Sequence, residues 1–401
     1  MRKYSLVFII YLIVLFCAHS AIGATEKVSL ALWVPCESAN ETLSSKEKID
    51  ELLRISNSLH VKVLYVQIYR RNHAWYPSKL ANDEPYRNFN KKEGFPPIPY
   101  LIKQAHEIGI EVHLWFNMLR VGKDANIPII NTLGKDVITR DNKNRSILDY
   151  PKYEIPQPEG DYYSYAADGI WIEPGDPHVR KYLIDVLEEA LNIMPDADGI
   201  HLDFIRFPFV SPFAPGSYYE RKGISFGYGP ASVAEFQKKS GLNVFSMTRT
   251  KENAAIWDEW RRTRITELIR EINALLRKKY SVKKLSCAVL PWPERIYFNS
   301  FQDWPDWIEQ KIVDYVVVMN YSTDRKLVRT LSKMALGVGS SSTIWMGLGP
   351  YLVEENPVLF KEQLQDAHKI GIKNLVLFSY DSFIKNSILC KTLADTWLEE
   401  N

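Results

Sequence analysis

The stretch Asp198-Gly199-Ile200-His201-Leu202-Asp203-Phe204-Ile205-Arg206-Phe207-Pro208 carries the most chemistry in the chain. Read as a strand, its alternation puts His201, Asp203 and Ile205 on one side and Leu202 and Phe204 on the other. A carboxylate and an imidazole facing a barrel interior are costly unless something partners them. Arg206 is near enough in sequence to do so for Asp203, either at a reactive site or as a pair that only ties the strand end to its loop. A second carboxyl, Glu294, stands in Leu290-Pro291-Trp292-Pro293-Glu294-Arg295 just past another apolar run. Two carboxyls are what cleavage of a glycosidic bond needs, about 5–5.5 Å apart for retention and about 6.5–9.5 Å apart for inversion. Neighbouring parallel strands lie about 4.8 Å apart, so a Glu beyond one strand can reach either range from an Asp ending the next. Trp292 and Pro293 would give Glu294 the apolar surface that keeps a carboxyl protonated near neutrality. The alternative is a solvated Glu at a helix start. Glu173 and Asp381 compete for the same proton-donor role.

The other residues near the ends of apolar runs are polar or aromatic: Gln67, Tyr69, His113, Trp115, Asn117, Trp292, Asn320, Tyr321 and Tyr380. Such a set suits a sugar chain, whose hydroxyls need hydrogen bonds and whose ring faces stack on aromatics. Trp115, Trp292 and Tyr321, with Trp171, are the expected cleft aromatics; the alternative is that they pack the core. No nucleophile elbow, Gly-rich phosphate loop or His-Glu-x-x-His is present. The 8 His residues are scattered without an Asp-His-His cluster, so no metal or organic cofactor is implied and a deacetylase-like metal enzyme is disfavoured.

The elements that must position these groups follow from the apolar pattern. Eight strands are expected, at Leu30 to Val34, Val61 to Ile68, Glu111 to Asn117, Gly199 to Phe204, Leu285 to Leu290, Tyr315 to Asn320, Thr343 to Leu348 and Asn374 to Ser379. Helical spacing appears between several of them, as in Ile49, Leu52, Leu53 and in Leu364, Ala367, Ile370. The phrases Ala105-His106-Glu107-Ile108-Gly109-Ile110 and Ala367-His368-Lys369-Ile370-Gly371-Ile372 each end a helix on Gly, which supplies a left-handed cap. Asp176-Pro177 opens another helix as N-cap and first residue. Alternating strands and helices fit a (β/α)8 barrel, with an open doubly wound sheet as the competing fold. The gaps at about 118–198 and 208–252 are too long for simple crossovers and are expected to be loop-rich insertions over the catalytic face.

Composition bounds the partners. A hydrophobic share of 46% and a charged share of 24% exclude disordered, collagen-like and disulfide-scaffold chains. Arg2 and Lys3 precede an apolar run from Leu6 to Phe16 and small residues to Ala24, which reads as a secretory signal over residues 1–24. The expected mature chain, 25–401, is then a secreted or periplasmic barrel. Those two residues account for the formal charge of +2, so the remainder is near neutral and no nucleic-acid partner is implied. No later run is long enough to be an integral membrane span. Cys36, Cys287 and Cys390 suit neither a disulfide framework nor a zinc site and are expected as buried thiols. Nothing in the sequence sets an oligomeric state.

Over this whole span the chain resembles the glycosyl hydrolase-like 10 family of bacterial envelope proteins. The matching pieces include Ala31-Leu32-Trp33-Val34, Val66-Gln67-Ile68-Tyr69 with Ala74-Trp75-Tyr76-Pro77-Ser78, and His113-Leu114-Trp115-Phe116-Asn117 with Arg120. Later ones are Pro174-Gly175 with Val179-Arg180, His201-Leu202-Asp203, Trp260-Arg261-Arg262 and Asp314-Tyr315. The resemblance implies a (β/α)8 barrel and an exported glycan hydrolase acting on peptidoglycan. Phe204 stands where the family commonly shows a second Asp, and Pro291-Trp292-Pro293-Glu294 departs from its usual fifth-strand ending. The segment around Asp203 is also similar to the fourth-strand motif of the α-amylase superfamily, which implies Asp203 as nucleophile and Glu294 as acid. With Val318-Met319-Asn320-Tyr321 it is similar to the family 18 chitinases, whose Asp polarises a substrate acetamide with help from a Tyr. There the acid position falls on Ile205, which has no proton to give. A barrel that binds glycan without cleaving it is the non-enzymatic alternative.

Overall fold

The computed structural model describes residues 29–153, 169–208, 224–248 and 250–398. The expected signal and parts of both insertions lie outside them. Eight parallel strands close on themselves: β1 (Ser29–Val34), β2 (Val63–Arg70), β3 (Glu111–Asn117), β4 (Gly199–Asp203), β5 (Lys284–Val289), β6 (Tyr315–Met319), β7 (Ile344–Leu348) and β8 (Asn374–Leu377). Each pairs with the next in sequence, and β8 returns to β1 with Leu30 opposite Leu375. This is the (β/α)8 barrel, and all eight strands fall where the apolar runs predict them.

Alternation along each strand sorts the side chains into two layers. Leu30, Leu32, Leu64, Leu114, Ile200 and Leu202 face outward and are buried under the surrounding helices. Burial of each such side chain stabilises the fold by roughly 1.5–3 kcal/mol. The helix Lys46–Ser58 supplies Ile49, Leu52 and Leu53 to that layer, and its first turn is closed by the Ser45 hydroxyl, which accepts from the Lys48 N–H. Asp176 caps the helix Pro177–Ile193 in the same way through His178 N–H. Gly109 and Gly371 take φ of 72° and 83°, the left-handed conformation expected of helix-ending glycines.

The inner layer is aromatic: Trp33, Tyr65, Trp115, Tyr315 and Trp345 form one cluster with Ala31, Val63, Ala288, Val317 and Val376. Rings of this size fit only because glycines face them. A Cβ on Gly347 would lie 3.0 Å from the Trp33 ring and 2.9 Å from Val318 O, and one on Gly199 would lie 2.6 Å from His113 Nδ1.

Both insertions are fastened over the strand ends. Arg120–Gly122 pairs antiparallel with Ile170–Trp171. Arg261, on the long helix Lys251–Lys279, donates to Ser225 Oγ and Phe226 O and lies 4.0 Å from the Phe301 ring centroid. Among the described residues no helix is long and apolar enough to cross a membrane.

Candidate active site

At the carboxyl end of β4 the Asp203 carboxylate is 8% exposed and opposite Asn117 of β3. Its Oδ1 accepts from the Phe204 N–H at 2.7 Å and its Oδ2 from the Trp115 indole N–H at 3.2 Å. The first bond exists because the chain turns sharply after the strand: Phe204 has φ of 51°, unusual for a bulky residue, which ends the alternation and aims its N–H back at the carboxylate. Burial raises the Asp203 carboxyl above the ordinary range, while the Phe204 N–H, Arg206, the Trp115 N–H and Arg70 pull it back down.

Arg206 stands behind the carboxylate, packed on aromatic rings. Its guanidinium lies 5.0 Å from the Trp171 ring centroid and 5.3 Å from that of Phe204, and it donates to Phe207 O. Phe204 thus uses its ring as a wall, with Arg120 5.4 Å from the ring centroid and Trp171 5.8 Å away. Trp171 is buried there rather than offered to a ligand.

Beside Asp203, Gln67 donates to Asn117 Oδ1 at 3.0 Å and accepts from Cys36 N, Cys36 Sγ and Arg70. On the other side lies Tyr321, whose hydroxyl is buried and has no hydrogen-bond partner among the described residues. Burial pushes that phenol well above its ordinary value, and Asp203 adds to the rise, so the hydroxyl keeps its proton. The Tyr321 ring packs 6.2 Å from Trp33, 5.7 Å from Phe378 and 6.0 Å from Tyr351. With Trp115, only 3% exposed, these rings floor the mouth.

The structure therefore brings Gln67, Trp115, Asn117, Asp203 and Tyr321 together, with Arg206 behind them. It separates several residues that the sequence grouped with them. Tyr69 faces the helical layer, because the register shifts between Gln67 and Tyr69 and the bulge reverses its side; its hydroxyl accepts from Asn72. Asn320 lies one residue out of phase with the inward positions, whereas Tyr380 shares the phase of Val376 and Phe378 but lies past the end of β8, where the backbone has already turned helical at φ −46° and ψ −35°. Asn320 donates to Val328 O and Ser332 Oγ on the helix Arg325–Leu336, and Tyr380 is buried in the outer layer.

His113 belongs to the opposite end of the barrel. It bonds to Glu111, the first residue of β3, and to the Tyr315 hydroxyl. Glu111 is held down to about 2 by His113 and Lys284. His201 sits below the mouth, fully buried, accepting from Trp33 Nε1 at 3.0 Å through Nε2. Indole is a donor only, so the proton of the neutral ring is on Nδ1 and is given to Ser286 Oγ at 2.9 Å. Burial pushes His201 well below the usual imidazole range, with His113 adding to the effect.

Glu173 is a clamp. Its carboxylate accepts from Thr139 Oγ1, Gly175 N and Gly229 N, joining the two insertions, and burial raises its carboxyl. A Cβ on Gly229 would lie 2.4 Å from Glu173 Cγ, so the clamp requires glycine there. Asp381 accepts from Asn40 at the rim between the loops after β1 and β8.

Glu294 is exposed in the first turn of the helix Pro293–Asn299, without a hydrogen bond or ion pair among the described residues. Trp292 is half-buried with Arg295 5.3 Å from its ring centroid. The apolar cover expected for Glu294 is therefore missing, because the proline opens a helix that carries the side chain outward.

Trp33, Cys36, Arg70 and Phe378 belong to the mouth and were not singled out from sequence. Trp33 and Phe378 share the inward phase of Ala31 and Val376, so extending alternation from those residues would have found them. Among the described residues no group of three His, Cys, Asp or Glu is placed to hold a metal ion. Cys36 and Cys287 are free and buried, and Cys390 is free and half-buried.

The glycosyl hydrolase-like 10 family model matches residues 30–335. The chain is 21% identical over 299 residues to "Glycosyl hydrolase YngK" of Bacillus subtilis strain 168, covering 70% of this chain and 50% of that protein. It is 22% identical over 294 residues to "Glycosyl hydrolase DigH" of Escherichia coli strain K12, covering 69% of this chain and 57% of that protein. The match thus spans 50% and 57% of the length of these relatives. Among solved structures, the PgaB (BpsB) glycoside hydrolase domain from Bordetella bronchiseptica superimposes with a TM-score of 0.67 at 12% identity, covering 92% of this chain and 99% of that one. That likeness concerns the fold alone.

Proposed function

The chain belongs to the glycosyl hydrolase-like 10 family, and on that premise we propose that it is an exported glycoside hydrolase that cleaves peptidoglycan glycan strands, with Asp203 acting at the anomeric centre. The observation that carries this reading is the pairing of a buried Asp203 carboxylate with the unpartnered Tyr321 hydroxyl in one aromatic-floored mouth. A buried hydroxyl without a partner costs stability unless a ligand completes it. Asp203 keeps lone pairs free beyond its two N–H bonds, so it can act as nucleophile or orient a substrate acetamide while Tyr321 donates to the same group. Gln67 and Asn117, already bonded to each other, line the adjoining rim. Glu294, exposed in the free chain, is the candidate proton donor once a bound sugar covers it.

A second reading, a barrel that binds glycan without cleaving it, is favoured by the exposure of Glu294. Two variants separate them. Asp203→Asn keeps the shape and should lower turnover on peptide-free glycan strands by several orders of magnitude with the fold retained. Glu294→Gln should abolish cleavage of those strands yet keep much activity on glycosides with good leaving groups, which need no protonation. Near-normal turnover by Asp203→Asn ends the assignment of Asp203, and a wild-type chain that binds strands but releases no sugar establishes the second reading.

A further inference from the structure

Gln67, Asn117 and Asp203 stand at the inward-facing ends of β2, β3 and β4, with Asn117 in register with Asp203. A carboxamide has an accepting end and a donating end, and its partners decide which points where. Around Gln67 they leave no choice. The Cys36 backbone N–H lies 3.3 Å from one end of its carboxamide and Arg70 Nη1 lies 3.4 Å from the same end, and both groups can only donate. The Cys36 thiol is there too, at 3.2 Å. That end is therefore the oxygen, and the other end, Nε2, donates to Asn117 Oδ1 at 3.0 Å. The orientation of Asn117 is fixed in turn. Its oxygen is taken by Gln67 and its Nδ2 is left over, making no hydrogen bond among the described residues, while the residue stays 6% exposed.

The leftover donor stands one strand away from Asp203, and neighbouring parallel strands lie about 4.8 Å apart. Asp203 does not use it, since its two bonds come from the Phe204 N–H and the Trp115 indole. The mouth therefore offers an ionised carboxylate that only accepts and, beside it, an amide nitrogen that only donates. A substrate group that meets this nitrogen must be an oxygen with a free lone pair. Resting on the function proposed above, we infer that Asn117 Nδ2 donates to an oxygen of the sugar held at Asp203, an acetamide carbonyl or a ring hydroxyl, and that Gln67 is the positioning residue that keeps this donor turned toward it. The reference point is the Cys36 N–H, a backbone group that cannot turn over as a side-chain amide can. The polarity set there, just past β1, passes through Gln67 on β2 to Asn117 on β3.

The test is a double-mutant cycle in the full chain with a peptide-free glycan-strand tetrasaccharide, each variant being checked for its fold by thermal unfolding. Asn117→Leu keeps the shape, removes the donor and should lower kcat/KM about tenfold, the effect of one hydrogen bond. Gln67→Glu keeps an oxygen for Cys36 and Arg70, but its second oxygen cannot donate. Asn117 must then turn over, give Nδ2 to the new carboxylate and present its own oxygen to the sugar, so this variant should also lose about tenfold. In the Asn117→Leu chain the same Gln67→Glu change should cost nothing further. A structural or purely electrostatic role for Gln67 would cost as much in either background, so equal losses in both overturn the inference, as does an unchanged rate for Asn117→Leu. The N-deacetylated tetrasaccharide identifies the oxygen: the Asn117→Leu loss vanishes on it for an acetamide carbonyl and persists for a hydroxyl, and either result supports the donor contact. If the wild type cleaves neither substrate, the proposed hydrolysis fails and the cycle is read in the tetrasaccharide Kd. Coupled tenfold losses there keep the assignment of Asn117; additive losses, or no binding, overturn it.

Discussion

Tyr321→Phe separates a catalytic hydroxyl from a structural one, because the two roles predict opposite signs for stability and activity. Among the described residues the hydroxyl is buried and makes no hydrogen bond, so its removal takes away no interaction with them. The ring contacts with Trp33, Phe378 and Tyr351 survive in phenylalanine. An unsatisfied buried polar group costs about 1–3 kcal/mol, so the variant should be as stable as the wild type or more so, by up to that amount, in urea unfolding. Activity should move the other way. A donor that meets developing charge only in the transition state is worth about 10²–10³ in kcat, and the loss should fall on kcat more than on KM. Urea midpoints and steady-state rates on peptide-free glycan strands give both quantities from one preparation. A variant destabilised by more than about 1 kcal/mol with its rate intact refutes the reasoning, since the hydroxyl would then have a structural partner such as a bound water.

Three further outcomes follow from the geometry. The Trp115 indole N–H lowers the Asp203 carboxyl, so Trp115→Phe should move the Asp203-controlled limb of the kcat/KM profile to higher pH; an unmoved limb would mean that Asp203 does not set it. His201 is a base whose folded value is pushed below that of the unfolded chain. Below about pH 6.5 the unfolded chain therefore takes a proton the native state refuses, and stability should fall with falling pH by up to about 1.4 kcal/mol per unit. Denaturation midpoints at pH 7.5 and 5.5 should show this loss, and His201→Gln should reduce it; an unchanged slope would assign the loss to other groups. Gly347→Ala should destabilise by about 1–3 kcal/mol, because its Cβ meets Val318 O at 2.9 Å and the Trp33 ring at 3.0 Å. Tryptophan fluorescence should report the displaced indole, and an unaltered spectrum at wild-type stability would show that the barrel interior has slack.

The strands were legible because a parallel barrel buries both faces of each strand, leaving short runs of Leu, Val and Ile that loops cannot mimic. Helix ends at Gly109, Gly371 and Asp176 were legible because their chemistry is local: a positive φ or a carboxylate within two residues of the N–H it accepts. Asp203 was legible for the same reason, since alternation within one strand places it with His201. That local logic also marked its limit, for it says which residues share a side and not which end of the barrel they occupy. His113 shares the inward side with Trp115 and Asn117 yet bonds to Glu111 at the far end.

Sequence by itself determined the eight-strand order, the family and the inward side of Asp203. Only the tertiary structure decided what surrounds that carboxylate. A bulge turned Tyr69 outward, the closure of the barrel set the inward phase that excludes Asn320 and admits Trp33 and Phe378, and the helical turn after β8 carried Tyr380 into the outer layer. Glu173 became a clamp through partners 34 and 56 residues away, and Glu294 was carried outward by the helix its own proline opens. The physical reason is common to all of them. Backbone geometry repeats over two to four residues and can be read from neighbours, whereas burial and hydrogen-bond partners depend on chains that meet only after the barrel has closed.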